Sequence, residues 1–263
     1  MVKNINSLIQ LKNIFVGYGL KTVLKDISFN INEGDFVGII GPNGSGKSTL
    51  IRAISRVLRP FSGEILLNNQ DIYQLDSRTA AKNIAVVLQE SPINFSFNVM
   101  EIVLMGRAPH LGKLELESKK DFEIAKSSLL LTDTLKLAER DINELSGGER
   151  QMVIIAKALA QKPRILLLDE PIAHLDINHQ IEILNLIKRL NAENNLTVVM
   201  VTHDLNAAAD YCRRLILLKQ GRIYTTGLPD EVITGQTIKD VYGADCAVET
   251  NPVTGAPLVI RKI

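Results

Sequence analysis

The 263-residue sequence lacks the marks of several large protein classes. It has no run of eighteen apolar residues, so no segment reads as a membrane-spanning helix. The basic-then-apolar order of a secretory leader is missing at its N-terminus, so the chain is expected to stay in the cytosol. Only two cysteines occur, Cys212 and Cys246, without metal-binding or redox spacing, and they are expected to stay reduced. A formal charge of +1 argues against a nucleic-acid partner held by bulk attraction to phosphate. No internal repeat or low-complexity tract is visible. What remains is a chain with 46% hydrophobic residues, long enough for one large α/β core with an inserted or appended lobe.

Ile27, Phe29 and Ile31 alternate with Ser28 and Asn30, the period of a half-buried antiparallel strand, and Gly34 follows as a turn. From residue 35 onward strand and helix signals alternate, which predicts a mainly parallel sheet with right-handed crossovers. The expected strands include Asp35 to Ile40, Ile84 to Leu88, Ile165 to Leu168 and Leu196 to Val201. Helices are expected over Ser48 to Leu58, Val99 to Met105 and Phe122 to Leu137, with a further helix face formed by Ile181, Leu184, Ile187 and Leu190. Between Gln89 and Leu145 strand signals vanish. After Leu215 come two short strands around Gly221 and a helix started by Pro229.

Gly41-Pro42-Asn43-Gly44-Ser45-Gly46-Lys47-Ser48 fits the pattern G-x-x-x-x-G-K-[ST] and joins an expected strand to an expected helix. Successive backbone N–H groups there form an anion nest, the helix start adds its positive dipole end, and the glycines admit close approach of phosphates. Lys47 is placed to reach the β- and γ-phosphates, and Ser48, followed by Thr49, to offer a hydroxyl to Mg2+. Ile165-Leu166-Leu167-Leu168-Asp169-Glu170 ends a buried strand on two acids. Ligands of open α/β sheets bind at such strand ends. Asp169 then suits water-mediated Mg2+ binding, and Glu170 suits a general base that orients water. A solvated strand end is the plainer reading of the same pair.

The run Leu145-Ser146-Gly147-Gly148-Glu149 separates this sequence from kinases and GTPases that share a phosphate loop. With it, nearly the whole chain resembles the ATP-binding subunits of ABC transporters. The resemblance implies an ABC-type P-loop fold: a nucleotide-binding core with an antiparallel β-subdomain over residues 1–88 and 146–225, a helical subdomain over 89–145, and a C-terminal extension over 226–263. It implies two ATP molecules sandwiched in a head-to-tail dimer of identical chains, with Ser146, Gly147 and Gly148 acting on the nucleotide of the opposite copy. The same Ser146 and Glu149 also fit an N-terminal capping box, and both readings can hold. By resemblance Gln89 touches the Mg2+ site, His203 contacts the γ-phosphate, Asp176 crosses the dimer interface and Tyr18 stacks on adenine. Tyr18 can equally be a packed hairpin residue, although aromatic residues are only 5% of the chain. His174 and His179 read as loop and helix surface. Ile172 departs from the threonine common after Glu-Pro, which touches a small polar contact near the base.

Met105-Gly106-Arg107-Ala108-Pro109-His110-Leu111-Gly112 and the tail Asn251-Pro252-Val253-Thr254-Gly255-Ala256-Pro257-Leu258 are similar to importer ATPases serving iron-siderophores, haem and cobalamin. The implied partners are two transmembrane permease subunits, which insert coupling helices into the groove of the helical subdomain, and indirectly a substrate-binding protein. The implied location is the cytoplasmic face of the membrane. Arg107 and His110 fit the rim of that groove. They fit a helix C-terminus equally well, with Arg107 facing the dipole and Pro109 stopping the helix. ATPases of other importers and soluble ABC ATPases are the alternatives. The soluble relatives usually carry long coiled-coil insertions or two fused halves, which this length does not hold.

Overall fold

The computed structural model describes residues 7–89 and 96–262. In chain order it opens with strands β1 (Ser7–Tyr18), β2 (Lys21–Asn32) and β3 (Phe36–Ile40), helix α1 (Lys47–Ile54), and strands β4 (Ser62–Leu67) and β5 (Gln70–Asp71). Then follow α2 (Ser77–Asn83), β6 (Ile84–Val87), α3 (Val99–Leu104), α4 (Lys119–Leu131), α5 (Gly147–Ala160), β7 (Ile165–Asp169) and α6 (Ile177–Asn194). The chain closes with β8 (Thr197–Val201), α7 (Leu205–Tyr211), β9 (Arg214–Lys219), β10 (Arg222–Gly227), α8 (Pro229–Val232), α9 (Gly235–Tyr242), β11 (Cys246–Thr250) and β12 (Pro257–Arg261). Contacts divide it into two compact units, Met1–Leu75 with Thr197–Ile263, and Asp76–Leu196.

In the first unit β2, β1, β4 and β5 form an antiparallel sheet in that order. Alternation drives it: Ile27 and Ile31 are fully buried while Ser28 is exposed. Separately, β3 runs parallel to both β8 and β9, and β10 returns antiparallel to β9. All five residues of β3 and all five of β8 are buried, the pattern of central parallel strands covered on both faces. The β11–β12 hairpin docks on α7: Asn206 on the helix accepts a bond from the Val259 N–H at 2.8 Å, and Thr254 donates to Asp210. Both cysteines are buried and free, and burial raises the Cys212 thiol pKa.

The second unit pairs β6 with β7 in parallel and packs α3, α4 and α5 against one another. Here the sequence reading needs corrections. Helix α4 begins at Lys119, because Ser118 and Asp121 form a capping box, and it stops at Leu131, where Thr132 Oγ1 donates to the Ser128 carbonyl and Asp133 turns to φ 54°. Only Leu135–Leu137 resumes, as a 3-10 turn. On α6, Ile181 is 46% exposed, whereas Ile183, Leu184, Leu186, Ile187 and Leu190 are buried. Steps of three residues turn about 300° each, so a strict three-residue stripe drifts round the helix. In the first unit α1 ends at Ile54, because Ser55 caps it and Arg56 adopts φ 66°.

Candidate nucleotide-binding site

The phosphate loop lies in the first unit, between β3 and α1. Gly46 caps α1 with φ 106°, and a Cβ there would stand 2.5 Å from Leu24 Cδ2, so only glycine fits. Neighbouring turns hold the loop in place. The Gly221 N–H donates to the Ser45 carbonyl at 3.1 Å, and Gly221 O accepts from Lys25 N at 2.7 Å. Lys47 is buried, and its Nζ donates to the Gly41 carbonyl at 2.8 Å and the Pro42 carbonyl at 3.2 Å. Ser45 Oγ is buried without a hydrogen-bond partner. A buried donor left unsatisfied costs about 1–3 kcal/mol, and a phosphate oxygen is the acceptor that this loop chemistry suits. Thr49 is buried, whereas Asn43, Gly44 and Ser48 are exposed.

Two more candidates sit in the same unit. Tyr18 ends β1 at the tip of the first hairpin, 43% exposed, and its hydroxyl accepts a bond from Arg52 Nη1 on α1 at 3.0 Å. The ring is therefore tethered to the helix that follows the phosphate loop. His203 is exposed just beyond β8. Its backbone is fixed from both sides: Thr202 N donates to the Ile39 carbonyl on β3, and Asp204 caps α7 through a bond from Ala207 N at 3.0 Å.

The acidic pair lies in the second unit. Asp169 is buried at the end of β7, and Glu170 follows half-buried with φ 51°. That left-handed backbone costs a non-glycine residue roughly 1–2 kcal/mol, strain of the kind functional sites hold. Gln89, just beyond β6, is exposed. Ser48 in the first unit, and Gln89 and Asp169 in the second, each carry a side-chain oxygen of the hard type that Mg2+ takes, so these residue types fit that ion. Ile172 is buried in the second unit, where its side chain contributes apolar packing in place of a polar contact.

Ser146, Gly147 and Gly148 open α5. The capping box is complete: Glu149 N donates to Ser146 Oγ at 3.3 Å, and Ser146 N and Oγ donate to Glu149 Oε2 at 3.0 and 2.8 Å. These bonds hold the Glu149 carboxyl below its ordinary range. Asp176 caps α6, accepting from Asn178 N and His179 N, and its Oδ2 lies 2.6 Å from His179 Nδ1. His174 lies exposed in a turn. His179 does not sit free on the helix surface. Its ring packs on Gly148, where a Cβ would stand 2.1 Å from Cδ2.

Arg107 is buried, bonded to Asp121 at 2.9 Å and to the Ala160 carbonyl at the C-terminal end of α5 at 2.7 Å. His110 Nε2 lies 2.9 Å from the Gln161 carbonyl. Both residues cap α5, not α3, and a buried Arg107 cannot line a groove rim. Sequence reading also missed structural supports of the site. Gly221 was legible only as a turn. Tyr242 on α9, its hydroxyl shut from solvent without a hydrogen bond of ordinary geometry, lies close to the Gly41 backbone.

A glycine-rich loop between a buried parallel strand and a helix, with a lysine on its own carbonyls and an unpartnered hydroxyl, defines a P-loop nucleotide-binding protein. A family model described as ABC transporter matches residues 24–173. The petrobactin import ATP-binding protein FpuD of Bacillus anthracis is 38% identical over 252 residues, which cover 96% of this chain and 92% of that protein. A chain of an ABC transporter described as metal-chelate type, in an inward-facing conformation, superposes with TM-score 0.85 at 28% identity, covering 97% of this chain and 96% of that one. The ATP-binding cassette MJ0796, in a dimeric post-hydrolysis state bound to ADP and Pi, matches with TM-score 0.73 at 33% identity, covering 84% of this chain and 98% of that one. The chain belongs to the ABC transporter family. It has the family's α/β ATPase fold, and it binds and hydrolyses ATP.

Proposed function

We propose that this chain is the motor of an importer for an iron chelate or cobalamin, working as a head-to-tail pair of identical copies at the cytoplasmic face of a membrane. The observation that carries the import reading is the 38% identity, over nearly the whole chain, to a petrobactin import ATP-binding protein. Among the described residues no helix is long and apolar enough to cross a membrane, so the translocation path is assigned to two separate permease subunits. A substrate-binding protein acts indirectly, through those subunits.

In this reading the Gly41–Thr49 segment cradles the phosphates through backbone N–H groups, with Pro42 and Asn43 shaping its turn and Lys47 exchanging its two carbonyl partners for β- and γ-oxygens. Tyr18 offers its ring to adenine. Ser48, Gln89 and, through water, Asp169 would hold Mg2+, which would neutralise charge on the phosphate oxygens. Glu170 takes a proton from the attacking water, and His203 steadies the γ-phosphate. Such general-base catalysis is worth about 10²–10⁴-fold in rate. Ser146, Gly147 and Gly148 meet the nucleotide of the second copy, joined across the interface by Asp176. The helical subdomain, taken as residues 89–145, receives the coupling helices. ATP drives the cycle because it binds the closed pair better than the open one, and only that difference can move the permeases.

Uptake of labelled ferric siderophore, haem, cobalamin and zinc is the test, in cells whose only copy carries Glu170→Gln. Selective loss of one iron chelate or of cobalamin supports the reading and fixes the cargo. Loss of zinc alone or unchanged uptake of all four refutes it.

A further inference from the structure

We infer that His179 is a positioning residue for the nucleotide site of the opposite copy: its ring, anchored on Asp176, sets where the Gly148 backbone stands at the start of α5. This rests on the reading that Ser146–Gly148 act in trans.

Four observations meet at this side chain. Its Nδ1 lies 2.6 Å from Asp176 Oδ2, while Asp176 Oδ1 accepts the backbone N–H of His179 itself at 3.1 Å, so one carboxylate holds the residue by both ring and backbone on the first turn of α6. On its other edge the ring occupies the space a side chain at Gly148 would need, 2.1 Å from Cδ2, 2.2 Å from Cγ and 2.5 Å from Nε2. Gly147, one residue earlier, has only Leu175 Cδ2 at 3.6 Å from its own Cβ position. The second glycine is therefore the one that the rest of the chain packs against. The ring also forms part of the wall of a cavity of about 620 Å³ that Glu149 and Met152 of α5 share with α6.

Electrostatics keep the mount tight. Asp176 raises the His179 pKa above its ordinary value, chiefly through the hydrogen bond, against an opposing burial effect that is second in size, and the charges of Asp176, of Glu182 on the same helix and of Glu149 on α5 add lesser increments. Asp133, Lys136 and Arg189 complete the charged groups around the cavity. A group with a raised pKa keeps its proton to a higher pH than it would when unpaired, and gives it up as pH climbs through the raised value. The imidazolium–carboxylate link between Asp176 and the start of α5 thus weakens on the alkaline side. Moving Gly148 by a fraction of an ångström changes the aim of the α5 N–H groups at an anion, and misplacement of about 1 Å can cost about 10²-fold in rate.

The experiment compares the native chain with His179→Ala and His179→Asn, whose amide N–H can stand where Nδ1–H stood. Steady-state ATPase is measured from pH 6 to 9, together with ATP binding to the single chain and ATP-driven dimerisation of each in a Glu170→Gln background. Expected for His179→Ala is a loss of about tenfold in kcat and weakened dimerisation, with single-chain ATP binding unchanged. Expected for His179→Asn is recovery of most of the rate, without the alkaline decline of the native chain. Native-like kcat and pH profile in the alanine variant would overturn the inference, as would equal loss of single-chain ATP binding. Failure of the Glu170→Gln parent to dimerise with ATP would instead remove the trans reading, and this inference with it.

Discussion

At Gly148 the missing side chain is a packing requirement as much as a chemical one. Its neighbour is the His179 ring, so Gly148→Ala should overpack the joint and lower stability by about 1–3 kcal/mol, even though alanine favours helix more than glycine does. Shortening the ring should relieve this: Gly148→Ala with His179→Ala is expected to unfold at a higher temperature than Gly148→Ala alone. Additive losses in that thermal comparison would contradict the contact. The phosphate loop and the acid pair were legible in the sequence because their chemistry is local, a few residues in a row with fixed spacing. His179 was not legible. Its importance comes from a contact with a residue far upstream, and nothing in Asp176-Ile177-Asn178-His179 announces it. Arg107 was legible as a helix-end residue, but not which helix it would cap, because its partners Asp121 and Ala160 come from two other helices.

Elements were read well where periodicity was clean and poorly where polar residues set the ends. Strands β3, β7 and β8 stand within a residue of expectation, since continuous apolar runs leave little room for another fate. Helix α4 starts three residues before the expected Phe122 because its first turn is Lys119, Lys120 and Asp121, and only the Ser118 cap marks its start. On α6 the expected stripe held for Leu184, Ile187 and Leu190 and failed at Ile181. Stability should separate the two: Ile187→Ala, at a fully buried site, is expected to cost about 2–5 kcal/mol in denaturant unfolding. Ile181→Ala, half-exposed, should stay within about 0.5 kcal/mol. Equal effects would mean α6 presents a different face to its core.

For the whole molecule, fold class follows from the order of strands and helices, and family from the run Leu145–Glu149 together with the phosphate loop. What no single chain's sequence displays is the second copy. Ser146 is exposed and yet fully committed to a capping box, Gly147 is exposed beside it, and Asp176 is exposed at the cap of α6. In the proposed pair of copies these residues gain their chemical role when the second copy brings a nucleotide to them. The most direct test is sedimentation of the Glu170→Gln chain with Mg-ATP, with Mg-ADP and without nucleotide, alone and with Ser146→Arg added. The account predicts a dimer with ATP only, slow or absent turnover, and a monomer that still binds ATP once Ser146→Arg is present. Brisk hydrolysis by Glu170→Gln, or an ATP-bound chain that stays monomeric, would contradict it.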